Sequence, residues 1–165
     1  RGGEELQALH AAGIPFEVIP GITAAVAAGA YAGIPLTHRD HAQGLRLLTA
    51  QLGRGKQAPD WRAWARSSDT LAIYMALAQC ATLSRELIRH GRDRATPVAL
   101  VENASRPQQR VVLGRLDELA QLASTHELKS PTLVIVGAVA ALGAELHWFG
   151  AAPLQGLAGE PVRAA

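Results

Sequence analysis

Cysteine is all but missing from this sequence: Cys80 is the single one in 165 residues. That excludes an internal disulfide framework and leaves no set of thiols for a metal. Standing alone, it reads as a small buried apolar residue. Lysine is nearly as scarce, confined to Lys56 and Lys129 among 16 basic residues. The others are arginines, whose planar fork suits bidentate carboxylate or phosphate contacts, so an acidic small molecule is as good a partner as nucleic acid. Concentrated charge is absent too. The formal net charge is only +2 with the basic residues scattered, whereas a nucleic-acid surface predicts a denser basic face. No apolar run approaches the roughly 18 to 20 residues of a membrane span, and the first residues lack a signal-peptide pattern. These absences predict a cytoplasmic chain with no membrane and no nucleic-acid partner.

What remains, 48% apolar and 18% charged residues, is the composition of one globular α/β body. The most informative stretch is residues 15–39. Phe16, Val18 and Ile19 lie between two prolines and read as a strand; Pro20-Gly21 turns it, and Thr23 opens a helix of almost nothing but Ala and Gly. A threonine hydroxyl and free N–H groups at such a start can hold a polar ligand group. The small residues that follow suit either a tightly packed core helix or a wall against a flat ligand. Thr37, His38 and Arg39 then form a polar loop. His38 and His41 lack the cysteine or carboxylate that would complete a metal site.

Elsewhere the pattern alternates. Residues 4–12 read as a short helix with Leu6 and Leu9 inward, stopped by Gly13. Strands are predicted at 45–48, 71–75, 98–101, 110–113 and 132–136, and helices at 81–90, ended by Gly91, and at 116–123. Asp60 is placed to cap a short helix carrying Trp61 and Trp64 as packing anchors. Residues 53–59 read as a flexible flap, Trp148 and Phe149 as a cover for the domain's edge, and 150–165 as a frayed tail.

Pro20-Gly21-Ile22-Thr23-Ala24-Ala25, followed by Ala32-Gly33-Ile34-Pro35-Leu36-Thr37-His38-Arg39, resembles the central signature of the tetrapyrrole methylases, nearest to the uroporphyrinogen-III C-methyltransferases. Arg1-Gly2-Gly3-Glu4-Glu5, Thr70-Leu71-Ala72-Ile73-Tyr74-Met75 and Thr96-Pro97-Val98-Ala99-Leu100-Val101-Glu102-Asn103 match in the same order, so the resemblance covers residues 1–149. It implies the C-terminal half of a two-domain class III methyltransferase with a mixed sheet flanked by helices. Residues 1–20 would end the N-terminal subdomain, 21–150 form the C-terminal subdomain, and 151–165 a disordered tail.

The resemblance further implies an S-adenosyl-L-methionine site at Thr23, Ala24, Met75 and Ala104, and contacts to a small-molecule tetrapyrrole from Thr37, His38 and Arg39. The implied reaction is methylation of uroporphyrinogen III to precorrin-2, for sirohaem and cobalamin, by a homodimer. Three departures from the family pattern stand out. Ala50-Gln51 replaces a Gly-His pair, Ala76 replaces the glycine after the methionine, and Ala104 replaces the glycine after Glu-Asn. The Gly-rich Pro-Gly-Asp turn and the proton-transfer residues of the family's first domain have no counterpart here. The chain is therefore expected to be an N-terminally truncated piece with no catalytic residue of its own. The alternatives within the resemblance are a precorrin, diphthamide or ribosomal RNA methyltransferase, or a noncatalytic dimerisation module.

Overall fold

Leu71 and Ile73 point one way along their strand and Ala72 the other, and the same alternation in Val98, Leu100 against Ala99, Val101 builds a sheet that is apolar on both faces. The computed structural model describes residues 2–50 and 59–156. Gln51, the predicted flap from residue 53 to 58, and residues 157–165 lie outside them. Five strands, β1 (Leu45–Thr49), β2 (Thr70–Tyr74), β3 (Pro97–Glu102), β4 (Arg110–Arg115) and β5 (Thr132–Val136), form one sheet in the order β1-β2-β5-β3-β4. Only β1 and β2 are parallel; the other pairings are antiparallel. β5 therefore lies between strands that precede it in the chain, buried at every residue, as the run Thr-Leu-Val-Ile-Val demands.

Helices cover both faces. On one, α3 (Trp61–Arg66), α4 (Cys80–Arg89) and α5 (Leu119–Thr125) pack Leu83, Leu87, Leu119 and Leu122 against Leu71, Ile73, Leu100 and Val134. Asp60 accepts from Ala63 N–H at 2.9 Å, the expected cap, and the two indoles meet edge to face. On the other face lies α2 (Ala24–Ala32), which buries Ala25, Ala28, Gly29 and Ala32 against Ala72, Ala99 and Ile135. With alanine on both surfaces, helix and sheet approach closely.

Three expectations are corrected. Residues 16–19 are not a strand. No described strand lies beside them to complete a ladder, and Phe16, Val18 and Ile19 are 44%, 65% and 79% exposed. The helix before them, α1 (Gly3–Ala11), forms as predicted but buries no residue, so Leu6 and Leu9 have no core to enter. Trp148 and Phe149 cover the domain's edge at the end of α2: Trp148 donates to the Ala30 carbonyl at 2.8 Å and both rings pack on Tyr31. Finally, the described part of the tail is not frayed. Leu154 bonds by its own N–H to Val111 and accepts from Leu113, because the free edge of β4 offers unpaired backbone. No described helix is long and apolar enough to cross a membrane.

Candidate functional site

The sheet's strand ends decide where a ligand can sit. β2 and β3 finish, and β5 begins, along one edge, and the chain leaving each strand turns sharply there. Met75 and Asn103 adopt left-handed backbone at φ 51° and 50°, a conformation that costs a non-glycine residue about 1 kcal/mol or more and concentrates where ligands are held. Between these turns and α2 lies a cavity of about 520 Å³, lined by Ala24 and Ala28 of α2, Tyr74 at the end of β2, Met75 and Ala78 after it, Asn103, Ala104 and Arg106 after β3, and 130–133 at the start of β5. That is the size and apolar character of a small-molecule site.

Of the residues expected to touch a cofactor, Ala24, Met75 and Ala104 line this one hollow. Thr23 does not line it, and its hydroxyl is already engaged, 2.5 Å from the Tyr74 hydroxyl. The same tyrosine oxygen accepts from Ala25 N–H at 2.8 Å. The helix start expected to offer a free hydroxyl and free N–H groups is thus partly satisfied from within, and Tyr74 ties α2 to the end of β2. Tyr74→Phe is expected to lower stability by about 1 kcal/mol, the worth of a partly buried hydrogen-bond set. It should also shift the Ala25 amide resonance. A urea melt and an amide spectrum unchanged from the parent would disprove the tether.

Two replacements of glycine carry no backbone strain. Ala76 is fully buried in the core beside α4 and faces away from the cavity, so its methyl does not narrow the approach. Ala104 lies between Asn103 and Ser105, which carry the positive φ angles of the turn, and does not itself need one.

Thr37, His38 and Arg39 are not brought to this cavity. Their loop precedes β1, whose first residue pairs with Thr70, whereas the cavity lies beyond Tyr74 at the other end of β2. α2 separates the two by about 13 Å of helix. His38 is folded back locally, bridging to Ala42 and accepting from Asp40 N–H. Cys80, free and buried, has its thiol pushed up to about 11 by that burial, so it is an inert core group.

The walls are braced by two buried polar residues to which the sequence reading gave no role. Gln109 accepts from Ser105 N–H at 2.8 Å and donates to the Tyr31 carbonyl at 3.1 Å, joining the 103–109 turn to α2. Glu102 accepts from Arg110 at 2.6 Å and from Lys129 N–H at 2.5 Å, fixing the segment that leads into 130–133. The Arg110 hydrogen bond, helped by Lys129 N–H, outweighs burial and holds the Glu102 carboxyl below the usual range. Glu102 stands inside a quoted motif and Tyr74 inside another, yet only contact across the fold gives them roles; Gln109 and Tyr31 are far apart in the chain.

Comparison with known proteins gives the family and the fold. The family model of the Tetrapyrrole (Corrin/Porphyrin) Methylases matches residues 1–120. The sirohaem synthase of Xylella fastidiosa is 54% identical over 155 residues, 94% of this chain and 33% of that protein. Among solved structures, uroporphyrin-III C-methyltransferase from Thermus thermophilus, complexed with S-adenosylhomocysteine, is 40% identical with a TM-score of 0.73, over 84% of this chain and 57% of that one. The cobalt precorrin-4 methyltransferase is 25% identical with a TM-score of 0.74, over 84% of this chain and 59% of that one. The chain spans about a third of the length of the sirohaem synthase it matches.

Proposed function

The chain belongs to the tetrapyrrole methylases, and from that premise we propose that its cavity is one side of an S-adenosylmethionine site serving methylation of uroporphyrinogen III to precorrin-2, in sirohaem and cobalamin synthesis. The observation that carries the reading is the meeting of Ala24, Met75 and Ala104, from three separated segments, in one hollow at the carboxyl ends of β2 and β3. The donor set fits the cofactor: small side chains accept a flat base, and the left-handed turns at Met75 and Asn103 present main-chain groups beside it. When bound, S-adenosylmethionine supplies a methyl made electrophilic by its sulfonium. The residues of this chain hold and align it, which is where most of the rate enhancement of such a transfer arises. The described residues lining the cavity include no carboxylate, histidine or lysine, and the Tyr74 hydroxyl is engaged by Thr23 and Ala25 N–H, so the part proposed for this chain is binding and orientation.

Thr23 acts in this reading through Tyr74. A role for Thr37, His38 and Arg39 toward the macrocycle belongs to a surface apart from the cavity. Higher identity to the uroporphyrin-III enzyme than to the cobalt precorrin-4 enzyme, 40% against 25%, favours the uroporphyrinogen substrate. Homodimerisation belongs to the same proposal, and light scattering reads it.

Ile14, Phe16, Val18, Ile19 and Ile22 are exposed and do not line the cavity, and in this reading the chain walls the cavity on one side only. Binding is therefore expected to be weak. Titration of the 165-residue chain with S-adenosylhomocysteine, followed by amide shifts, should give a Kd above about 100 μM with the largest shifts at Ala24, Met75 and Ala104. Shifts elsewhere, or none at millimolar ligand, would overturn the site. Low-micromolar binding, or methyl transfer matching a full-length relative, would overturn its one-sidedness.

A further inference from the structure

Among the described residues lining the cavity, Arg106 alone carries a charge. Its guanidinium is exposed and engages no described side chain or carbonyl. Arg110, four residues on, behaves differently: it is spent on Glu102 and on the carbonyls of His126 and Glu127. Arg106 is also held in place by its backbone. Its N–H bonds to the Asn103 carbonyl at 3.0 Å, its carbonyl accepts from Gln109 N–H at 2.9 Å, and the buried Gln109 side chain clamps the same turn through Ser105. A rigid turn thus presents a fork of unused donors at the mouth of an otherwise uncharged hollow.

An arginine so placed selects for a planar anion. The guanidinium matches a carboxylate in two parallel hydrogen bonds, and the low-polarity walls behind it strengthen that attraction relative to open solvent. We propose that Arg106 is the specificity-determining residue that receives a carboxylate at this cavity. Resting on the cofactor-site reading, the proposal adds the chemical class of the group held at the mouth. Two sources carry that chemistry: the amino-acid end of the S-adenosyl nucleoside and an acidic side chain of the tetrapyrrole.

The test compares the parent chain with Arg106→Gln and Arg106→Lys, by ligand-observed NMR at fixed low salt, using four probes. S-adenosylhomocysteine carries the carboxylate; 5′-methylthioadenosine is the same thioether nucleoside without it. Uroporphyrin III carries carboxylates on a macrocycle; a cationic N-methylpyridinium porphyrin presents a ring without them. Arg106→Gln is expected to weaken one carboxylate-bearing probe about tenfold, with Arg106→Lys intermediate and the matched probe unchanged. Loss confined to S-adenosylhomocysteine assigns the nucleoside source; loss confined to uroporphyrin assigns the macrocycle. Equal weakening of a probe and its carboxylate-free match, or no weakening of either acid, overturns the proposal. Failure of the cofactor reading looks different: methylthioadenosine then leaves the Ala24, Met75 and Ala104 amides of the parent unmoved, while the uroporphyrin arm still reads Arg106. Since Arg106 is exposed and its side chain makes no hydrogen bond or ion pair among the described residues, both variants should melt with the parent.

Discussion

Gly33→Ala is expected to be the most damaging one-methyl change among the described glycines, lowering stability by about 3 to 5 kcal/mol, from a left-handed backbone penalty and overpacking together. Gly33 ends α2 at φ 67°, and a Cβ there would lie 2.1 Å from the Leu146 carbonyl oxygen, 2.4 Å from its carbon and 2.7 Å from His147 N. All three are main-chain atoms, so no rotamer change relieves the clash. The helix end and α6 (Gly143–Leu146) would have to part, taking with them the aromatic clamp of Trp148 and Phe149 on Tyr31. Against a total stability of roughly 5 to 15 kcal/mol, such a loss removes a large share. Gly13→Ala is the matched control. It has the same φ of 67° but nothing within 4 Å of the added carbon, so it should lose only about 1 kcal/mol. Urea melts of the two variants separate the effects. Midpoints that fall equally would show that the Leu146 seam yields freely, and the close-packing account of α2 would fail.

That seam also shows what the sequence could and could not disclose. Gly33 was legible as part of a quoted motif, but the atoms that forbid a side chain there belong to residue 146, and nothing local points to them. The strands were legible because alternation and β-branched runs are local signals, and all five formed close to where they were placed. Their order was not, since β5 inserts between β2 and β3 by burial rather than by succession. Residues 16–19 failed for the opposite reason. Their composition suits a strand, but a strand is defined by the partner beside it, and no described part of the chain supplies one. At the site, Ala24, Met75 and Ala104 were legible through motif resemblance, and the fold gathers them. Thr23 was read as a free hydroxyl because the tyrosine that occupies it lies 51 residues away. Thr37, His38 and Arg39 are read from the resemblance as contacts to the macrocycle rather than to the cofactor, and their distance from the cavity is not legible locally, because α2 carries the chain to the opposite end of β2.

The second large effect is expected at Glu102. Glu102→Gln preserves shape but removes the charge that pairs with Arg110, and the variant should lose about 2 to 3 kcal/mol. That is below the 3 to 5 kcal/mol of a fully buried broken pair, because the Arg110 side chain is 40% exposed and water recovers part of its solvation. Glu102→Ala also strands Lys129 N–H and should lose more. The loss reaches the cavity, since Lys129 leads into Ser130, Pro131 and Thr132 of its wall, and the Thr132 hydroxyl bonds back to the Lys129 carbonyl. Amide resonances of Lys129, Ser130 and Thr132 should therefore move in Glu102→Gln, whereas those of the 37–39 loop should not. The pH dependence has a fixed sign. The Glu102 carboxyl is held below its ordinary value, chiefly by the Arg110 hydrogen bond, so the folded state favours the ionised form more than the unfolded state does. Its stabilisation is complete above the ordinary value of 4.5 and fades as the pH falls through the lower folded value. The stability difference between parent and Glu102→Gln should hold steady from neutral pH down to about 5 and then shrink. A difference that stays constant to pH 3, or grows, would mean that the ion pair with Arg110 is not what holds this wall, and the brace would have to be sought in the packing of Leu133 instead.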